Sequence, residues 1–467
     1  MTNSPHTTPT AGLSRKQLGL VIAVYVMAFM ALLDVFVVIL ALPTLRTELG
    51  ASTTQLQWVV GSYSLSLSTF ALSAGALADR YGRKRVFLLG VTMFTLGSAM
   101  CAAAASPATL LAGRFVQGIG AAIAIPATLT LLALAFPEQR LRARLFGGWA
   151  TVTGAAAVIG PVLGGGLVET FGWPSIFLIN LPLGAITLLL GARCVTESAD
   201  PAHTALDLPG QLLAILGLGA LTYALINVGE RGWTAPSTIV ALVIAVAGLT
   251  LFGIVEWRQT NPMLPLRLFS DRRFSVANLA AATLGFTAFT VQVFLPTYLQ
   301  QAGQHSVAGT GLMLLPWPAS QMIASYLAGR WTARTGSRAP MTLGLLLIAS
   351  AALGVLGLQP DSPYPLLAVT LVAFGVGVGL TFTPTNAAAM ASVPPERSGS
   401  GAAITNAVRQ TGTSLGIAAL GLLFYRADLT TGMHHVALAT ALAAGLTAVV
   451  VLTTPSLGAT QPRAQPH

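Results

Sequence analysis

Apolar runs of about twenty residues recur along most of the chain, from Leu18 to Leu452, and each is long enough to cross roughly 30 Å of hydrocarbon as a helix. A segment in lipid cannot leave its peptide groups unpaired, so it must close them within a helix or within a closed barrel. Barrel strands read as stretches of about ten residues with alternating polarity, and these runs do not alternate. An all-α integral membrane protein is therefore expected. Composition agrees, with 54% of the 467 residues hydrophobic and 8% charged, and a mean hydropathy of +0.74, far from the usual balance of soluble chains.

Fourteen spans are read, near 18–42, 56–78, 86–105, 109–135, 146–169, 176–194, 208–228, 236–255, 276–301, 309–329, 340–358, 365–390, 401–424 and 435–456. The first is longer than a signal-peptide core and no small-residue cleavage site precedes the next span, so it is expected to remain as a helix with its N-terminus cytoplasmic. The net charge of +10 does not point to nucleic acid, because the basic residues lie in short loops between apolar runs and not with aromatics on a polar surface. Sorted on this topology, Arg46, Arg231 and Arg426 fall outside, Arg114 and Arg409 fall within spans, and the other nineteen of 24 Lys and Arg fall inside. That asymmetry is the positive-inside pattern. It places both termini in the cytoplasm and the protein in a bacterial inner membrane.

The longest polar interruptions, 195–207 and 256–275, divide the chain into six spans, two inserted spans and six more. The expected order is a tail over 1–17, a six-helix bundle over 18–194, a linker with two helices over 195–275, a second bundle over 276–456 and a tail over 457–467. A repeat supports the halves. The loop after the second span carries Gly75, Asp79, Arg80, Gly82, Arg83 and Lys84, and the loop after the tenth carries Gly329, Arg330, Arg334, Gly336 and Arg338. Glycine and base recur there at one constant offset, as duplicated halves would leave them.

Charges inside spans carry the most information. A carboxylate such as Asp34 costs roughly 2.5–3.5 kcal/mol on insertion scales and is expected to face a cavity or a partner. Met27 and Met30 share its helical face, a soft stripe beside a titratable group. Arg114 lies at a similar depth on the fourth span, one turn before Gln117. If the two charges face each other, attraction and desolvation oppose one another in setting the proton affinity of Asp34, and a change of conformation alters that balance.

Four motifs resemble those of the fourteen-helix drug:proton antiporters of the major facilitator superfamily, over essentially the whole chain. Leu33-Asp34 through Pro43 is similar to the acidic first-helix motif, and Leu110 through Ala122, with Arg114, Gln117 and Gly118, to the fourth-helix motif. Gly154, Gly160, Pro161, Gly164 and Gly165 resemble the fifth-helix antiporter motif, whose small residues let helices approach closely. The Gly75 to Lys84 loop resembles the superfamily's cytoplasmic motif, in which Asp79 can approach the positive N-terminal end of a neighbouring helix. Asn180 with Pro182, Pro296 with Tyr298, and Asn406 with Arg409 extend the likeness, while Pro174, Ser175 and Ala333 depart from it.

The resemblance implies a major facilitator fold and a proton-coupled antiporter exporting hydrophobic or cationic drugs by alternating access, with Asp34 and Arg114 coupling the proton. A multidrug pocket needs apolar walls with few polar groups, and its candidate wall is Met27, Met30, Trp58, Tyr63, Gln117, Phe289, Gln292, Trp317, Gln321, Asn406 and Arg409. The expected partners are a small-molecule substrate, protons and membrane lipids, with the chain monomeric. No Walker spacing is present, no His or Cys cluster suits a metal, and the proton gradient replaces a cofactor. A dedicated exporter of one metabolite or self-made antibiotic would obey the same sequence rules. A membrane enzyme or sensor is disfavoured, since none of the six histidines lies mid-span and no soluble domain is evident.

Overall fold

The computed structural model describes residues 13–199, 207–259, 262–393 and 398–457. Most of the expected N- and C-terminal tails lies outside the described residues, and so do Arg397 and Arg463 of the inside charge count. What is described is helical, and eleven of the helices are long and apolar enough to cross a membrane.

The first helices are α1 (Arg15–Glu48), α2 (Thr53–Tyr81), α3 (Arg83–Ala102), α4 (Pro107–Ala135) and α5 (Gln139–Phe171). Local chemistry marks their starts. Ser14 with Gln17 and Ser52 with Gln55 form reciprocal capping boxes, each closing two backbone donors that a helix start leaves open. Ser106 caps α4 ahead of Pro107, whose missing N–H costs nothing at a first turn. The sixth expected span is broken at Ile179 into α6 (Ser175–Leu178) and α7 (Asn180–Cys194).

The inserted pair is α8 (Leu208–Arg231) and α9 (Pro236–Arg258), which pack on each other. Through α8 the pair also reaches α2 and the later helix α16 (Ser398–Tyr425). Between these elements run α10 (Arg272–Leu284) and α11 (Thr290–Gln301), joined by a π-turn at Gly285–Phe289. They are followed by α12 (Val307–Met313), α13 (Pro316–Thr335), α14 (Arg338–Val355) and α15 (Tyr364–Ala391), and the last long helix is α17 (Leu429–Leu452).

Besides the π-turn within the 276–301 span, two expected spans are broken. The 309–329 span breaks before Pro316, and Pro318 follows two residues on; each proline removes a backbone donor and its ring crowds the preceding turn. Among the early helices α1 packs on α4, α5 and α7, and α4 packs on α2 and α3. Among the late ones α15 packs on α13 and α14, and α17 packs on α14 and α16.

The repeated loops share a backbone device as well as a sequence. Gly82 ends α2 at φ +103° and Gly336 ends α13 at φ +81°, a region open to glycine and strained for side chains. The helices α2, α13 and α16 do not meet the spanning criterion. They are long but carry Ser, Thr, Asn, Gln or Arg within their length.

Candidate functional site

Asp34 lies in the middle of α1 and is 0% exposed, as are Gln117, Asn180 and Ser98, with Arg114 at 1%. Two helices bring partners to it, and two more hold those partners. Arg114 of α4 donates through Nη1 to Asp34 Oδ2. Gln117 Nε2 donates to Asp34 Oδ1 at 3.1 Å, and Asn180 Nδ2 of α7 donates to the same oxygen at 3.0 Å. Ser98 of α3 receives both amides, at 2.6 Å from Gln117 and 3.2 Å from Asn180. Arg114 Nη1 also donates to Gln117 Oε1 at 2.8 Å and Nε to the Val59 carbonyl of α2 at 3.0 Å.

The guanidinium carbon lies 4.4 Å from the centre of the Tyr63 ring, whose hydroxyl donates to Ala31 O at 3.4 Å. A buried charge pair is tolerated only when the remaining hydrogen-bonding capacity is also met, and both carboxylate oxygens and two of the guanidinium nitrogens are engaged here. The two charges expected to share a depth therefore share a bond.

Part of the expected substrate wall lies within this packed region. Met27 and Met30 are 0% exposed and Tyr63 is 2% exposed, packed with Val24, Phe94 and Ala121 in one core. The face of α1 that carries Asp34 turns into the first group of helices, where α2 and α4 cover it, so these side chains and Gln117 are buried within that group. Asn180 and Ser98 were missing from the expected site. A lone amide at the break ahead of Pro182 was the available signal for Asn180; Ser98 had none.

The fifth-helix motif is a two-sided seam. A Cβ added to Gly160 would stand 2.7 Å from the Phe36 Cβ, and one on Gly164 would stand 2.9 Å from the Val37 Cα, both on α1. A Cβ on Gly165 would stand 2.7 Å from the Ala308 Cα of α12. Pro161, Phe36, Leu40, Gln292 and Trp317 border a cavity of about 20 Å³ between the early and late helices, and Trp317 stacks on Phe374 with centroids 5.0 Å apart. Gly154 has only the flexible Met322 thioether near it, 3.3 Å from an added Cβ.

Among the described residues two hydrogen bonds join α1–α7 to α10–α17. Gln300 Nε2 donates to Leu40 O at 3.1 Å, and Ala308 N donates to Glu169 Oε2 at 3.1 Å. Both lie toward the end of the molecule that carries the α1–α2 turn. The remaining candidates are scattered: Trp58 is half-buried near the start of α2 and Gln321 half-buried on α13, while Asn406 accepts a hydrogen bond from Arg409 and Phe289 stands beside that guanidinium.

In the cytoplasmic-type loop, Asp79 pairs with Arg83 four residues on, at 2.7 Å. It is Glu197, from the segment after α7, that caps the start of α3, accepting from Lys84 N at 3.0 Å and Arg85 N at 3.3 Å. The Asp79 carboxylate pairs with Arg83 of α3, and Glu197 reaches the free N–H groups at the α3 start, where a helix end attracts negative charge. Lys84 Nζ donates to Ala192 O at 2.6 Å, while Arg80 and Gly75 are exposed. At Gly82 an added Cβ would meet the flexible Glu197 carboxylate at 2.7 Å, and φ +103° strains any side chain.

Apolar helices, a sealed ion pair among them and a glycine seam between two groups of helices describe a multi-span membrane transporter. The chain belongs to the Major Facilitator Superfamily, whose family model matches residues 24–417. It is 40% identical over 409 residues to the multidrug resistance protein Stp of Mycobacterium tuberculosis, covering 88% of this chain and 76% of that protein. It is 37% identical over 417 residues to the methylenomycin A resistance protein of Streptomyces coelicolor, covering 89% and 87%. The fold is also that of a peptide transporter, POT, solved in complex with sulfate, at TM-score 0.72 and 15% identity over 94% of this chain and 95% of that one.

Proposed function

We propose that the chain is a proton-coupled antiporter that exports hydrophobic or cationic drugs across a bacterial inner membrane. The buried Asp34–Arg114 pair carries the reading. A proton on Asp34 would cancel the attraction for Arg114 and turn an acceptor of three side-chain donors into a partial donor, so the packing of α1, α4 and α7 would answer to protonation. The halves over 18–194 and 276–456 then rock about a central cavity, with the glycine seam of α5 closing against α1 and α12. Fourteen helices span in this arrangement, α2, α13 and α16 joining the more apolar eleven, with Ser62, Ser66 and Thr69 of α2 and Thr413 and Ser414 of α16 turned inward, and both termini are cytoplasmic.

The proton gradient is sufficient as the energy source. About 100 mV supplies about 2.3 kcal/mol per charge and one pH unit about 1.4 kcal/mol, so no nucleotide is required. Expression in a pump-deficient bacterium is expected to lower ethidium accumulation, and a proton uncoupler is expected to remove the difference. Unchanged accumulation across a broad panel of drugs would instead favour a dedicated exporter of one metabolite.

Topology has its own test. In a protein whose Cys101 and Cys194 have been replaced, single cysteines at Gly232 and Asp361 should react with an impermeant reagent added outside intact cells, while one at Arg272 should be protected. Outside reaction at 272 would overturn the fourteen-span arrangement. The further probe position, Ala202, lies outside the described residues.

A further inference from the structure

The second arginine within a span has a different setting from the first. Arg409 lies on α16 with its guanidinium carbon 5.0 Å from the centre of the Phe289 ring and 5.3 Å from that of Phe382, and it donates to Asn406 Oδ1. No carboxylate pairs with it: among the described residues the ion pairs involve Arg83, Arg85 and Arg114. Phe289 comes from the π-turn between α10 and α11 and Phe382 from α15, so three late helices converge on the guanidinium. Arg409, Asn406, Phe289 and Phe382 are all partly exposed.

The contrast with Arg114 is physical. Arg114 is sealed and its charge is balanced by Asp34. Arg409 presents a planar fork of five N–H donors, gives one to Asn406 and is partly exposed, so donors remain for a further acceptor. Two ring faces hold the cation in place without spending those donors.

The support beneath is rigid. A Cβ on Gly285 would meet Thr413 N at 2.7 Å, and one on Gly416 would meet Phe286 O at 2.6 Å, so α16 lies close against the π-turn. Such turns are rare and concentrate at functional sites. Of the fourteen Asp and Glu, Asp34 lies deep within a span, and Arg114 already occupies it.

A preorganised, uncompensated guanidinium between aromatic rings fits a carboxylate carried on an aromatic body, because the fork can donate two parallel hydrogen bonds to the two oxygens. We infer that Arg409, with Phe289 and Phe382, is an anion-binding element of the substrate site, and that the transporter takes aromatic monocarboxylates in addition to hydrophobic and cationic compounds. The inference rests on the proposed export function for the idea that this space admits substrate.

Binding without any gradient tests it. The purified full chain in lipid nanodiscs is titrated with 2-naphthoate and with its neutral near-isostere 2-naphthamide. The naphthoate is expected to bind at least about tenfold more tightly, as a charge-assisted bidentate contact requires. Arg409→Gln should abolish that preference and Arg409→Lys should keep part of it. Asn406→Asp, which retains Arg409 and places a carboxylate beside it, should abolish the preference too and serves if Arg409→Gln is not recovered folded.

Equal affinity of the normal protein for the two probes, including no binding of either, overturns the inference. So does full preference in a folded Arg409→Gln or Asn406→Asp protein. Ethidium efflux is measured separately: naphthoate preference without ethidium efflux upholds this site while refuting the multidrug reading, and ethidium efflux without naphthoate preference does the reverse.

Discussion

Replacing Asp34 with Asn is expected to reduce pH-driven efflux to background while the protein still inserts in the membrane. The side chain keeps its size and can still accept from Gln117 or Asn180, but it can no longer exchange a proton. It also leaves Arg114 as a buried charge without its counter-ion, which typically costs about 3–5 kcal/mol. Loss of stability and loss of coupling must therefore be separated.

The double replacement Asp34→Asn with Arg114→Gln removes both charges. It should recover a large part of the thermal stability, as a coupled pair does in a double-mutant cycle, and should still fail in proton-driven exchange. In reconstituted vesicles, adding substrate to the normal protein should release protons, and Asp34→Asn should remove that release for a neutral substrate as well as for ethidium. A neutral substrate matters because a cation could be attracted by the carboxylate itself. Normal proton-driven exchange of both substrate types by Asp34→Asn would transfer the coupling role to another carboxyl group, with Asp207 at the start of α8 and the buried Glu256 near the end of α9 the next to test.

The second large effect concerns the α5 seam. An added Cβ at Gly164 stands 2.9 Å from the Cα of Val37, and backbone cannot rotate aside as a flexible side chain can. Gly164→Leu is expected to force α1 and α5 apart and abolish efflux, with strain of about 1–3 kcal/mol or more visible as a lower unfolding temperature. Gly165→Leu should stop efflux by a different route, because its clash is with α12 across the two groups of helices. Gly166 has nothing within 4 Å of an added Cβ, so Gly166→Leu should transport near the normal rate. Normal efflux by Gly164→Leu would show that close approach of α1 and α5 is dispensable.

The charged pair was legible because hydrocarbon makes every intramembrane charge conspicuous. Asp34 and Arg114 stood out from apolar neighbours, and their matching depth followed from counting residues along two helices. Asn180 and Ser98 were harder to find, since a single amide or hydroxyl in an apolar run can bond its own helix, a neighbour or a substrate. Periodicity correctly put Met27 and Met30 on the face of Asp34, but it did not say whether that face meets a cavity or the packed core of its own group of helices. Glu197 at the start of α3 had no signal in the sequence, because the contact between the α2–α3 loop and the segment after α7 spans more than a hundred residues of sequence.

Hydrophobicity and backbone chemistry act residue by residue, so the chain alone determined its class, its helical segments, the special backbone of Gly82 and Gly336, and which charges needed partners. Even the breaks before Pro316 and at Ile179 had local causes or markers in Pro316, Pro318 and Pro182. Which groups would meet was decided only by tertiary packing. Three helices had to assemble before Asp34 was closed by Arg114, Gln117 and Asn180, and three had to converge before Arg409 stood between Phe289 and Phe382. Partnership belongs to the distance between helices, and no periodicity along one helix contains it.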